Sequence, residues 1–195
     1  MPQNLLNCYV QNPEEFKKYY ESNKMDDNSF DLDNMCLDVL KIVCEKGNFD
    51  ILCWLTDQIT NNKFNAPIYH NIGNGFLICC KNSHLKLAKY SYDNVSNLIE
   101  KSFYESALQG CKDIDIFKWL FDIIDINENK LIRVFAFQCE NGHDDIVKYL
   151  YNTKVNSIGI NKFLVKSFIM ASSNGHIELT KWLEGIDRSI IKEYM

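Results

Sequence analysis

Arginine is almost absent from this chain: Arg133 and Arg188 are the only two among 195 residues, against nineteen lysines. With a net charge of -5 there is no basic excess to meet a phosphate backbone, which argues against a nucleic acid as partner. Long apolar runs are missing too. The longest, such as Phe76 to Cys80, reach about five residues, where a membrane-spanning helix needs about twenty. The opening MPQNLLNCYV has neither the basic start nor the apolar run of a secretory signal, so an intracellular protein is expected. Its eight cysteines then stay reduced, and with no CxxC pair among them the zinc-ribbon signature is missing. No GxGxxG or GxxxxGK pattern exists; Gly73-Asn74-Gly75 reads as a lone turn-like pair without phosphate-loop context. Neither a cofactor nor a metal is therefore expected.

What the chain does contain is a repeat. The segment CENGHDDIVKYL (139–150) has a close relative in SSNGHIELTKWL (172–183). Further relatives are CEKGNFDILCWL (44–55), CKNSHLKLAKYS (80–91) and QGCKDIDIFKWL (109–120), with a degraded copy in YVQNPEEFKKYY (9–20). Anchored on Tyr19, Trp54, Tyr90, Trp119, Tyr149 and Trp182, the spacings are 35, 36, 29, 30 and 33 residues. A sustained period near 33 marks an array of one supersecondary unit.

Each copy describes the same unit. Apolar residues fall at i, i+3 and i+4, as in Ile116/Trp119/Leu120 and Ile146/Tyr149/Leu150, which is one face of a helix. Acids open these helices (Glu15, Asp50, Asp115, Asp145, Glu178), where they complement the helix dipole, and lysines three residues on (Lys18, Lys118, Lys148, Lys181) are placed to pair with them. Another apolar run precedes each turn, as at Val134, Phe135, Phe137 and Cys139. The unit is helix, tight turn, helix, then a polar connector such as Asp125 to Lys130 or Asn152 to Ser157.

The reactive-looking residues fall into slots of this unit. His84, His143 and His176 share a position that elsewhere holds Asn48, Asp113 or Pro13, all suited to starting a helix. That position reads as a turn and cap rather than a ligand. Cys44, Cys80 and Cys139 share another, filled elsewhere by Gln109 and Ser172, and read as small buried hydrophobes. Gly47, Gly142 and Gly175 end the first helix in the left-handed conformation; Ser83 and Lys112 replace them, so strain is expected in those two turns. Trp119 and Trp182 read as core aromatics.

The pattern G-H-x-D/E-I/L-x-K-W/Y-L at this period resembles the ankyrin repeat, and more narrowly the divergent, Asn-rich ankyrin-repeat proteins of giant DNA viruses. The match covers roughly residues 5 to 188, and is strongest at Asn141-Gly142-His143 and Asn174-Gly175-His176. The family's Thr-Pro-Leu-His opening is absent; Arg133-Val134-Phe135-Ala136 occupies its slot in one copy. The resemblance implies an all-α solenoid of stacked helix-turn-helix units with short or irregular connecting hairpins. It would form a single domain over 1–195: a capping repeat at about 5–35, repeats at about 36–65, 66–98, 99–128, 129–158 and 159–188, and a tail at 189–195.

Such arrays present a concave face of first helices and connectors, and the resemblance implies a non-enzymatic scaffold that binds another protein. The residues whose burial the repeat does not need are the expected contacts: Glu45, Lys46, Lys81, Asn82, Lys130, Arg133, Glu140, Asn141, Ser173 and Asn174. A monomer is expected, with no membrane partner. Two alternatives stay open. One is a viral adaptor recruiting a host protein such as a ubiquitin-ligase component, although Glu184 to Met195 is too short for the C-terminal box such adaptors carry. The other is an enzyme or metal protein built on the cysteines and histidines.

Overall fold

The period-3.6 segments fold as eleven α-helices among the described residues. The structure is a computed structural model and describes residues 11–23, 29–61, 69–153 and 161–186. The helices are α1 (Pro13–Asn23), α2 (Ser29–Lys46), α3 (Phe49–Thr60), α4 (Tyr69–Lys81), α5 (Leu85–Val95), α6 (Lys101–Gly110), α7 (Ile114–Ile123), α8 (Glu128–Glu140), α9 (Asp144–Thr153), α10 (Asn161–Ser173) and α11 (Ile177–Ile186). Among the described residues there is no strand, and the fold is all-α. One described connector is a 3₁₀ turn at Ser96–Leu98, and another runs through 124–127. The stretches 62–68 and 154–160 lie outside the described residues, as does most of the connector read at Asn152 to Ser157.

The chain divides into two compact units, Met1–Gly110 and Cys111–Met195. In the first, α4 packs between α2 and α6, and α3 and α5 pack against each other behind them. Val39, Val43, Ile51, Leu55, Phe76 and Leu108 are buried there. In the second, α8 packs against α10, α9 against α7 and α8, and α11 against α10, around Phe117, Leu120, Phe135, Ile146, Leu150 and Leu183. Each such side chain, fully removed from water, contributes about 1.5–3 kcal/mol of transfer free energy.

Helix starts are capped by the residue types that the slots hold. Asn48 Oδ1 accepts from the Ile51 amide at 3.2 Å, Asp113 Oδ1 from Asp115 and Ile116 at 3.0 and 3.1 Å, and Asn127 Oδ1 from Lys130 at 3.0 Å. Asn127 thus splits the connector read at Asp125 to Lys130, whose second half is the first turn of α8. Of the expected acid–lysine pairs, Lys181–Glu178 forms at 2.9 Å. Lys148 instead meets Asp144 at 3.5 Å, Lys17 meets Glu14 at 2.8 Å, and Lys118 sits over the Tyr149 ring at 5.5 Å.

Two expectations are corrected. Gly73-Asn74-Gly75 is not a turn but part of α4. A Cβ on Gly73 would lie 2.3 Å from the Phe103 ring of α6, and one on Gly75 3.3 Å from Cys44 Sγ of α2, so these glycines let neighbouring helices approach. The aromatic anchors are not core either: Trp54, Trp119 and Trp182 are half-buried. Trp54 presents its ring to Phe16 and Tyr20, and Trp182 to Tyr151, edge to face, while the neighbouring Ile51, Ile116 and Leu183 are fully buried.

Candidate interaction surface

The helix–helix turns set the geometry of the exposed edge. In four of them the residue after the turn donates its amide five residues back: Asn48 to Val43 O at 3.1 Å, His84 to Cys79 O at 2.9 Å, His143 to Gln138 O at 3.1 Å and His176 to Ala171 O at 3.0 Å. This is the Schellman closure, and it calls for a left-handed residue just before. Gly142 and Gly175 supply φ of +68° and +77°, and Gly47 +76°; Ser83 takes the same conformation at +64°, strained as expected. Lys112 does not. Its turn has no positive φ, because Asp113 takes the chain directly into α7 as an N-cap, so the strain expected there is absent.

The histidines stand at helix starts, but their rings reach beyond their own helices. His84 occupies the N-cap position of α5 and makes no side-chain capping bond. Its Nε2 donates instead to the Glu45 carbonyl oxygen at 3.1 Å, one repeat earlier, and His176 Nε2 donates to the Glu140 carbonyl at 2.8 Å. Since a carbonyl only accepts, both rings carry their proton on Nε2. The rings lie over the preceding glycines: a Cβ on Gly47 would come within 2.8 Å of His84, and one on Gly142 within 2.4 Å of His176. Each glycine therefore serves twice, for its φ and for the ring above it. Gly175 has nothing within 4 Å.

His143 works differently. Its Nδ1 donates to the Oε1 of Gln138, which is fully buried, and Gln138 Nε2 donates to the Cys111 carbonyl at 3.3 Å. A glutamine thus relays the link from His143 to the Cys111 turn. Burial holds the His143 pKa below 6.5, and the charges of His176 and Lys112 push it the same way.

The thiol slot is covered by the next unit's first helix. Cys44 packs beside Cys79, and Cys139 beside Ser167. Among the described residues no further helix follows to cover Ser172, which is exposed, while Ala171 beside it is fully buried. Burial pushes the Cys139 thiol up to about 12 and Cys111 to about 11; the Cys79 thiol, then burial, raises Cys44. Such thiols are poor nucleophiles.

Against this frame the expected contact residues can be placed. Glu45 and Lys46 end α2, Lys81 and Asn82 end or follow α4, and all four are exposed on the first unit, where α2 and α4 are neighbours. On the second unit Arg133 and Asn141 are exposed and Lys130 and Glu140 half-buried along α8, with Ser173 and Asn174 exposed at the end of neighbouring α10. Their side chains are not all free. The Nδ2 groups of Asn82, Asn141 and Asn174 donate to the carbonyls of Ile78, Phe137 and Met170 at 2.9, 2.8 and 2.8 Å, closing the ends of their own helices. The same first helices expose Phe137 and Ile169.

An unanticipated feature is a groove of about 350 Å³ along α2 and α4. Asp38 and Lys41 line one side; Asn71, Asn74, Gly75, Leu77, Ile78 and Lys81 line the other. Of these only Lys81 was expected. Asn71, Asn74, Ile78 and Lys81 are spaced as one helical stripe, polar but for Ile78, opposite the buried Ile72, Phe76 and Cys79.

Helix pairs closed by left-handed turns, and tied turn to turn at a period near 33, define an all-α helical-repeat protein, and the pattern is similar to that of ankyrin repeats. In agreement, the chain is 28% identical over 197 aligned residues to the ankyrin repeat protein L56 of Acanthamoeba polyphaga mimivirus. The alignment covers 80% of this chain but 32% of that protein, so the chain spans about a third of its relative's length. No family model matches the chain, and no solved structure matches it significantly. Among the described residues no helix is long and apolar enough to cross a membrane.

Proposed function

We propose that the chain is a non-enzymatic module that binds another protein through the exposed edge of its first helices. The observation that carries this reading is the use to which the reactive-looking groups are put. Nε2 of His84 and of His176 is committed to a carbonyl, His143 to a glutamine, and the thiols of Cys44, Cys111 and Cys139 are buried and hard to ionise. Among these groups no nucleophile is paired with a base. What remains outward on α2 and α4 of the first unit is Lys41, Glu45, Lys46 and Lys81, and on α8 and α10 of the second Arg133, Phe137 and Ile169. Exposed charged groups on the one, and a cation with apolar groups on the other, suit recognition of a protein surface.

Affinity capture from cells producing the tagged chain, read by quantitative mass spectrometry, tests the reading. A partner enriched with the native chain should be lost with a variant carrying Lys41→Glu, Lys81→Glu and Arg133→Glu. Equal enrichment by that variant, or no enrichment over a tag control, would refute the module.

A further inference from the structure

We propose that the groove along α2 and α4 takes an extended segment of another protein, its main chain held by Asn71 and Asn74 and an acidic side chain held by Lys41 and Lys81. This deepens the protein-binding reading above and rests on it.

The asparagines carry the first half of the argument. Asn48 and Asn127 use their side chains within the chain as N-caps, and Asn82, Asn141 and Asn174 use theirs on helix-end carbonyls. Asn71 and Asn74 differ. Both are half-buried in the wall of the groove, yet among the described residues neither side chain has a hydrogen-bond partner. Neither amide is sealed from water, so each is open to exchange that water for a ligand's polar groups. Each offers one acceptor and a pair of donors, which is the complement of a peptide unit's N–H and C=O.

Charge carries the second half. Asp38, Lys41 and Lys81 line the groove, and among the described residues none of them is in an ion pair. The groove is thus locally positive on a chain of net charge -5. Asp38 disfavours a polyanion such as a nucleic-acid strand while leaving two ammonium groups for one carboxylate. Lys81 is also pre-positioned. A Cβ on Gly110 would lie 2.7 Å from Lys81 Cε, so the lysine stem rests on bare backbone at the end of α6. A side chain already held loses less entropy on binding. The half-buried Leu77 and Ile78 give an apolar seat for a neighbouring ligand side chain.

The test uses the full chain, ¹⁵N-labelled, and a capped heptapeptide of sequence Gly-Leu-Ser-Glu-Ser-Leu-Gly, with versions bearing Gln or Lys at the centre. The Glu peptide should shift amide resonances in residues 38–46 and 71–82. Binding should weaken at least threefold with the Gln peptide, with Lys41→Ala and with Asn71→Ala/Asn74→Ala. The exchange Lys41→Glu/Lys81→Glu should reverse the preference toward the Lys peptide, and since both sites are exposed the variant should still melt cooperatively. Equal binding of all three peptides, shifts confined to other helices, or no shift at millimolar peptide would overturn the groove assignment. Those failures are separable from failure of the module itself: a captured partner lost with Arg133→Glu but kept with Lys41→Glu/Lys81→Glu leaves the module standing and removes the groove from it.

Discussion

The imidazole of His176 lies over Gly142, thirty-four positions earlier in the chain, so closely that a Cβ there would sit 2.4 Å from Nδ1. His84 stands over Gly47 in the same way. The two strongest letters of the repeat, Gly and His, are therefore one interaction made between successive copies. Its energy belongs to the interface rather than to either repeat, and nearest-neighbour interfaces are what hold such arrays together.

This relation separates two substitutions that look identical in sequence. Gly175→Ala should cost about 1–2 kcal/mol, the strain of a left-handed alanine with open space around it. Gly142→Ala adds a collision with the His176 ring, and should cost about 2–4 kcal/mol in urea unfolding. In a His176→Ala background the Gly142→Ala cost should fall to the Gly175 value. Equal costs for the two glycines in the native background would mean that the ring does not constrain the turn.

Gly73 sets propensity against packing. Alanine in a helix interior gains up to about 1 kcal/mol over glycine. Here its Cβ would meet the Phe103 ring at 2.3 Å, and overpacking of this kind costs about 1–3 kcal/mol. The clash should win, so Gly73→Ala lowers the unfolding midpoint. Together with Phe103→Leu it should destabilise by less than the sum of the two single changes. A Gly73→Ala chain that is more stable than the native one would mean α4 and α6 can part without cost.

The same position shows where sequence reasoning stops. Helix existence was legible, because apolar spacing and capping residues are local. The left-handed glycines and the strained Ser83 were legible for the same reason. Gly73-Asn74-Gly75 reads locally as a turn, and only the approach of Phe103, thirty residues on, makes it helix. The histidines read as caps because their true acceptors, the carbonyls of Glu45 and Glu140, lie 39 and 36 residues away. In the candidate site, the repeat register pointed to Lys81 but not to Asp38, Lys41, Asn71 or Asn74, which matter only because α2 and α4 face each other across a groove.

The aromatic anchors illustrate a further shift. Trp119 is conspicuous in the pattern but half-buried, whereas Phe117 beside it is fully buried. Phe117→Ala should cost about 3–5 kcal/mol as a core cavity. Trp119→Ala should cost less, about 2 kcal/mol, because much of its surface already meets water. Chemical denaturation of the two variants gives the ordering, and a larger loss for Trp119 would contradict the packing.

His143 links stability to pH. Its folded-state pKa lies below 6.5, so the unfolded chain binds the proton more readily. The stability it contributes is complete above pH 6.5 and is lost as pH falls through the folded value. Replacing it with asparagine, as Asn48 occupies the equivalent slot, should flatten the midpoint between pH 7 and 5 relative to the native chain. An unchanged slope would place the titration elsewhere.

Thiol chemistry tests the frame from another side. Cys44, Cys79, Cys80, Cys111 and Cys139 are buried, and the thiols of Cys44, Cys111 and Cys139 are hard to ionise; Cys53 is part-exposed. Alkylation needs both access and a thiolate. Brief iodoacetamide treatment of the native chain at pH 7.5, followed by peptide mass spectrometry, should therefore label Cys53 well before any of the five. In about 6 M guanidinium, where the packing is gone, all six should react at similar rates. Fast labelling of Cys139 in the native chain would mean that the helix covering it, α10, opens readily, and would favour the reading of an enzyme built on the cysteines and histidines.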